Sequence, residues 1–457
     1  MSGPALFASF RHPGFGIVWS SICLNGYSAH ISTVAISWLA LEFTGSSIGV
    51  GVALAIRILP RLFLAVPIGS MSDKMDRRIM LQATNFFGFG MSTVATIASM
   101  QGWFGFQGVL LVAMLVGIFD VAETTLAKSY VYDVVGPDDA VNGLALEQLA
   151  NKLFGIVGGI STGFLLAVFG GVGAFAAMAV AYLSSGLLLA TIPRIAPGTG
   201  AFRDLSSAED DDVPSASPGL WESIRQLMNT PAVLTFAIIA LSAEVFAYSS
   251  ETLAPSFARD ILQVGEQGLG NLVAARNAGG VVGVLLLGSV ARRVRPERLL
   301  PLICIGFGIG LMAFSFSTSY LLSLVLMGMV GVAWGSVDAL LPTVLQQNVG
   351  NMDRGAAVGV WNLSRGFGPL GQLEIGALAT IIGVAATQAL NGLIFAITVS
   401  IVMLAYRRRA NHRAPANLAS QHIGGKSMVT PVASTDYTGN TAADGTGSDI
   451  TSDRTAK

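Results

Sequence analysis

Residues 48–78 read IGVGVALAIRILPRLFLAVPIGSMSDKMDRR, and the order of those letters decides the fold. From Ile48 to Met71 the stretch is almost wholly apolar, and about twenty such residues, rising ~1.5 Å each, cross the hydrocarbon core of a bilayer. From Asp73 to Arg78 the chain turns to Asp, Lys, Asp, Arg and Arg, the composition of a loop held in water beside a membrane. The chain as a whole agrees: 52% of its residues are hydrophobic, 12% are charged and the mean hydropathy is +0.64, far from a soluble domain. Lipid is its main solvent.

Working outward, comparable stretches lie near 15–41, 48–71, 79–99, 107–127, 142–169 and 172–192, and again near 231–257, 268–290, 299–317, 320–342, 355–382 and 384–405. The expected fold class is an all-α polytopic membrane protein with twelve transmembrane helices in two pseudo-symmetric six-helix bundles. The bundles are 1–193 and 231–406, joined by a cytoplasmic linker, 194–230, and followed by a disordered cytoplasmic tail, 407–457. The linker carries the acidic run Glu209, Asp210, Asp211 and Asp212, a composition that buries no core. Within it, Gly219 to Met228 sets Leu220, Ile224 and Leu227 on one face against Glu222 and Arg225, the pattern of a short interfacial helix. The first stretch is too long for a signal h-region and no A-x-A site follows it, so it is expected to stay as span one.

Basic residues orient the spans. With the amino terminus inside, the inner loops collect Lys74, Arg77, Arg78, Lys128, Arg292, Arg293, Arg295, Arg298 and Arg354, and the tail begins with Arg407, Arg408 and Arg409. The outer loops hold only Arg259. Both termini are therefore expected in the cytoplasm, in a bacterial cytoplasmic membrane. A net charge of -1 gives no reason to expect nucleic acid, and a functional monomer is expected. Cys23 and Cys304 each lie in an apolar run, where a packed small hydrophobe is the default.

The quoted stretch recurs. A shift of 219 residues aligns Gly51 with Gly270, Ala55 with Ala274, Arg57 with Arg276, Gly69 with Gly288, Ser70 with Ser289 and Leu81 with Leu300. A shift of 214 aligns Gly117 with Gly331, Val135 with Val349, Gly136 with Gly350, Asp139 with Asp353 and Leu149 with Leu363. Spans two, four and five thus repeat as eight, ten and eleven in the same orientation, the parallel repeat of two halves related by an axis along the membrane normal.

The loop Gly69-Ser-Met-Ser-Asp73-Lys74-Met-Asp76-Arg77-Arg78 resembles the signature loop of the major facilitator superfamily. Gly69 would allow two helices to approach closely, Asp73 would meet a helix amino terminus or an arginine, and Arg77 with Arg78 would hold the loop inside. The second copy has Arg292 in place of the aspartate. Trp38-Leu-Ala-Leu-Glu-Phe-Thr44-Gly45-Ser46 and Leu253-Ala-Pro255-Ser-Phe257-Ala-Arg259-Asp260-Ile-Leu262 resemble the drug:proton antiporter branch that includes macrolide and enterobactin exporters. The resemblance covers about residues 10–406. It departs in two places: no arginine lies inside span four, and the span-five antiporter motif is reduced to Gly155-Ile-Val-Gly158-Gly159 without its proline. Proton coupling is thus implied by the resemblance and not read from a motif.

Charges inside a bilayer are expensive and usually face a cavity or a partner. His30, Asp120, Glu123, Glu244 and Glu251 fall on spans one, four and seven, which in the superfamily line the central path, and are the proton-coupling or substrate-path candidates. Glu244 and Glu251 are seven residues apart, about two helical turns along one face, a spacing suited to a proton or cationic group moving along a path; Glu244 ranks first. Arg57, Arg61, Arg276, Arg365 and Glu374 are candidate intramembrane charge partners. A permanent ion pair with one of these arginines competes, at about equal weight, with a titrating role for each acid, and for the repeated Arg57 and Arg276 the architectural role is favoured. For His30 a packing role outweighs a sensing one. Asp338, near the inner end of span ten, and Asp133, Asp138, Asp139 and Asp353, near inner loops, read as solvated or capping.

The leading expectation is a secondary transporter that exports an amphipathic small molecule (drug, macrolide or siderophore-like) by alternating access with protons as partner. Uptake or facilitated diffusion of a metabolite is the alternative within transport. An intramembrane enzyme and a non-transporting receptor are remote alternatives. Gly159-Ile-Ser161-Thr-Gly163 matches G-x-S-x-G only formally, since that motif needs a strand-turn-helix elbow and this one lies mid-span. With no H-E-x-x-H, Walker loop or cysteine cluster, no catalytic residue, metal or cofactor is expected.

Overall fold

The computed structural model describes residues 7–72, 74–192, 228, 230–290, 293–349 and 354–423. Asp73, Arg292, Asp353, nearly all of the linker with its acidic run and interfacial helix, and the tail beyond 423 lie outside the described residues. Every regular element among the described residues is helical.

Local signals set the breaks. Span one is the helix Phe15–Thr44. It ends at Gly45 (φ 65°), whose N–H reaches the Leu41 carbonyl at 2.7 Å, and Ser46 caps the next helix by accepting from the Ile48 N–H. Span two is two helices, Ser47–Ile58 and Pro60–Ser72, parted at Leu59 because Pro60 brings no N–H to the ladder. Asp76 starts span three, Arg77–Met100, by accepting from the backbone N–H groups of Arg78 and Ile79. Helical backbone then runs over Phe106–Ala190, but Gly136 (φ 72°, ψ 175°) and Gly170 (φ 59°, ψ -152°) leave the helical region. The stretch is therefore three rods, which correspond to spans four, five and six.

Span seven is Pro231–Ile261, span eight Gly265–Val290, span nine Pro296–Ser315 and span ten Tyr320–Gln347. Span eleven is divided into Arg354–Arg365 and Gly368–Ile382, and the last helix is Val384–Ile423. That helix passes residue 406, the end expected for the second bundle. Among the described residues, seven helical stretches are long and apolar enough to cross a bilayer. The expected twelve is consistent with that smaller set, in which Phe106–Ala190 stands as one stretch. Outward-facing side chains such as Phe63 (68% exposed), Leu285 (66%), Leu321 (73%) and Ile381 (78%) suit a lipid surround and not water.

The repeat has a geometric signature. A Cβ added to Gly117 would clash with the carbonyl of Arg57, and one added to Gly331 would clash with that of Arg276. Spans two and four thus cross as spans eight and ten do, at residues the offsets had paired. Gly51 lies against the Gln372 carbonyl and Gly376, and its counterpart Gly270 lies against the Gly159 carbonyl and Gly163. These contacts join the halves along spans two with eleven and five with eight. Close helix packing thereby accounts for Gly159 and Gly163 of the G-x-S-x-G match. Cys23 and Cys304 are both buried free thiols.

Among the described residues, hydrogen bonds between the halves gather toward the end that carries Gly45. The hydroxyls of Ser47 and Ser256 are 2.8 Å apart. Arg259 donates to the carbonyls of Leu41 at 3.2 Å and Gly45 at 3.5 Å, and Gln267 donates to the Ile160 carbonyl at 3.5 Å.

Candidate functional site

Where the halves meet, they enclose a cavity of about 170 Å³. Span one supplies His30 and Thr33, span five Lys152 and span seven Glu251. Arg276, Asn277 and Gly280 come from span eight, and Gly331 and Trp334 from span ten. Of the sequence candidates, the cavity brings together His30, Glu251 and Arg276. Asp120, Glu123 and Glu244 stand outside its lining.

Backbone irregularity in span seven explains the separation of its two acids. The chain is π-helical over Ala243–Ala247 and 3-10-helical over Tyr248–Leu253, and these turns rotate by different amounts per residue than an α-helix. The regular face expected for Glu244 and Glu251 is therefore absent. Glu251 reaches the cavity, where its Oε1 accepts from Arg276 Nη2 at 2.6 Å. Arg276 also stands 4.5 Å over the ring of Trp334, a cation–π contact.

Arg57 is held at the corresponding place in the first half. Its Nη2 donates to Asp120 Oδ2 at 2.8 Å and to the Ala29 carbonyl at 3.3 Å, and its Nη1 donates to the Thr33 hydroxyl. Applying the 214-residue offset to Asp120 gives 334, so Trp334 stands where the first half has a carboxylate. Through these contacts each of the two arginines ties three spans together.

Glu244 is different. It is only 8% exposed, and its Oε2 has no hydrogen-bond partner among the described residues. The charges it faces are Arg365, Asp338 and Arg61. Arg365 is engaged, donating to Asp338 Oδ1 at 3.4 Å and lying 5.5 Å from the Trp361 ring. Asp338 is thus the partner of an interior arginine, which corrects its reading as a solvated or capping residue. Its place on the span-ten face turned to span eleven was invisible without the helix pairing. Arg61 forms no ion pair among the described residues.

Glu123 accepts from Asn25 Nδ2 at 3.1 Å and faces Glu147, Asp120 and Lys128. Glu374 accepts from Asn391 Nδ2 at 3.0 Å and meets no arginine within ion-pair distance among the described residues. His30 has no hydrogen bond among them and lines the cavity, its ring against Gly155 and its Cβ against Gly158.

The signature loop is stapled by its arginines. Arg77 Nη1 reaches both carboxylate oxygens of Asp133, at 2.7 and 2.8 Å, and Arg77 Nε donates to the Ser72 carbonyl at 3.2 Å. Arg78 donates to the carbonyls of Leu189 and Ala190 at 3.0 and 2.9 Å, satisfying the end of span six. Asp139 is bonded to His12 Nε2 at 2.7 Å. Asp133 and Asp139 are therefore partnered and not merely solvated: they lie in helical backbone on either side of the Gly136 kink, where Arg77 at the start of span three and His12 before span one reach them. Among the described residues, nothing lies within 4 Å of where a Cβ on Gly69 would be.

Lys152 and Trp334 were not among the sequence candidates. A lone lysine well inside span five was the available signal for the first, and the 214-residue offset carried from Asp120 was the signal for the second.

The profile of the Major Facilitator Superfamily matches residues 18–372 and 252–435. The chain is 27% identical over 393 residues to "Multidrug efflux pump Tap" of Mycobacterium tuberculosis, covering 83% of this chain and 90% of that protein. It is 20% identical to "Staphyloferrin A transporter" of Staphylococcus aureus, covering 82% and 91%. Among solved structures, an inward-facing, unoccupied bacterial homolog of the human lysosomal transporter Spinster superposes with a TM-score of 0.65 at 16% identity, over 86% of this chain and 97% of that one.

Proposed function

From the premise that the chain belongs to the Major Facilitator Superfamily, and so is a membrane-embedded transporter of small molecules, we propose that it is a proton-coupled exporter of an amphipathic compound. The observation that carries this is the cavity built by both halves, with spans one and five on one side and seven, eight and ten on the other. A site shared by two repeated bundles is what alternating access requires, since rocking one bundle against the other changes which side reaches it. Export is favoured by the relative named as a multidrug efflux pump.

We place Lys74, Arg77 and Arg78 in the cytoplasm of a bacterial cell, following the bias of basic loops. The Gly45 end then faces outward, and the Ser47, Ser256 and Arg259 contacts hold that end shut while the cavity is reached from within. Glu244 is our choice for the coupling acid. Asp120 and Glu251 are each held by an arginine, whereas Glu244 is buried with an oxygen left over, and a buried carboxylate without a fixed partner can exchange its proton as the pathway opens. The protein works as a monomer in this reading.

The experiment is a substrate screen in inside-out vesicles with an imposed proton gradient. The proposal expects at least one amphipathic solute to accumulate and to be lost again when a protonophore collapses the gradient. Accumulation indifferent to the gradient would remove proton coupling, and downhill entry of metabolites alone would replace export with facilitated diffusion.

A further inference from the structure

The charges around the cavity do not balance. Lys152 faces Glu251, Asp338, Arg276 and Arg365. Both carboxylates are already engaged, Glu251 by Arg276 at 2.6 Å and Asp338 by Arg365 at 3.4 Å. Lys152 itself has no hydrogen bond or ion pair among the described residues. Glu244, on the far side of Arg365, also faces Arg61, so Arg276, Arg365, Arg61 and Lys152 share Glu251, Asp338 and Glu244, and the lysine is the cation left over. His30, the other titratable group in the lining, adds no negative charge. Arg57 and Asp120 behind it neutralise each other.

An ammonium half-buried between the two bundles without a counter-ion is unfavourable, and an anion entering the cavity would relieve that cost. The wall also offers an aromatic surface in Trp334, which Tyr248 flanks at a ring separation of 4.6 Å. At about 170 Å³ the space is well below the ~300–1,000 Å³ of sites that enclose a drug-sized ligand, so it takes one end of a molecule and leaves the remainder between the halves.

We propose that this cavity receives the anionic end of an amphipathic substrate, a carboxylate or similar group borne on an aromatic or apolar body, with Lys152 as its counter-ion. The proposal rests on the transport reading above and names the substrate class that reading leaves open. It reverses the sequence expectation of a path suited to a proton or cationic group, because the acid facing the cavity is already neutralised by Arg276.

The test uses the full chain in detergent micelles and two probes with one skeleton, 4-hexylbenzoate and 4-hexylphenyltrimethylammonium, titrated by calorimetry. The benzoate is expected to bind about tenfold tighter or more, as a charge-assisted contact implies. Lys152→Gln and Lys152→Met are expected to erase that preference, and Lys152→Arg to keep it; either neutral variant suffices if the other does not fold. Equal binding of the two probes by the native chain, tighter binding of the ammonium, or a preference that survives in a folded neutral variant overturns the proposal. Binding is read without transport, so selective binding by a chain that moves no solute would preserve this site and remove the export reading. Gradient-driven export without an anion preference would do the reverse.

Discussion

Arg276 stands 4.5 Å over the ring of Trp334. Their repeat equivalents in the first half, Arg57 and Asp120, meet as an ion pair at 2.8 Å. One scaffold position thus carries a carboxylate in one bundle and an indole in the other, and Arg276 takes its counter-charge from Glu251 on span seven instead. Backbone crossings are kept between the halves while the chemistry facing the cavity is not. That division between a repeated frame and an unrepeated lining underlies each expectation that follows.

Frame positions should tolerate no added volume. Alanine at Gly117 or Gly331 would place a methyl group against the carbonyl of Arg57 or Arg276, and the helices must separate, at a cost of about 1–3 kcal/mol. Apparent thermal unfolding midpoints in detergent are expected to fall for both. Gly69→Ala, where the space is open, is expected to leave the midpoint unchanged.

Breaking the first-half ion pair should cost more than deleting it. Asp120→Ala leaves Arg57, its side chain 14% exposed, without its carboxylate, and the expected loss is about 3 kcal/mol. The double variant Arg57→Met with Asp120→Ala is expected to be more stable than Asp120→Ala alone. A double variant showing the plain sum of the single losses would mean that the two side chains do not interact.

Releasing the latch at the Gly45 end should open it. Arg259 spans from one half to the carbonyls of Leu41 and Gly45 in the other. In a chain lacking Cys23 and Cys304, a cysteine placed at Ser256 is expected to react faster with a charged thiol reagent when Arg259→Ala is added. An unchanged rate would show that glycine packing alone holds this end closed.

Coupling should depend on Glu244 more than on the paired acids. Glu244→Gln is expected to leave folding intact and to abolish gradient-driven transport in proteoliposomes. Transport with its pH dependence unaltered would take Glu244 out of the mechanism.

The frame was legible in the sequence for a physical reason. Bilayer thickness fixes span length, and close helix crossings demand glycine, so Gly51, Gly117, Gly270 and Gly331 recorded the repeat before any contact was seen. The lining was only partly legible. Glu251, Arg276 and His30 announced themselves as charges inside apolar runs, and Lys152 carries the same signal but sits on span five, outside the spans expected to line the path. The phase shift between Glu244 and Glu251 arises from π and 3-10 turns that no hydrophobic period encodes. Asp338 needed the pairing of span ten with span eleven to be seen as the partner of Arg365.

The central claim is that the cavity between the halves opens to one side at a time. Asn277, which lines it, can be replaced by cysteine in a chain without Cys23 and Cys304, and its reaction with a membrane-impermeant thiol reagent followed from each face of sealed vesicles. The account predicts labelling from the face bearing Arg77 at rest, and labelling from the Gly45 face once a transported solute and a proton gradient drive the cycle. Labelling from both faces at once in a single resting state would indicate a continuous pore and contradict it.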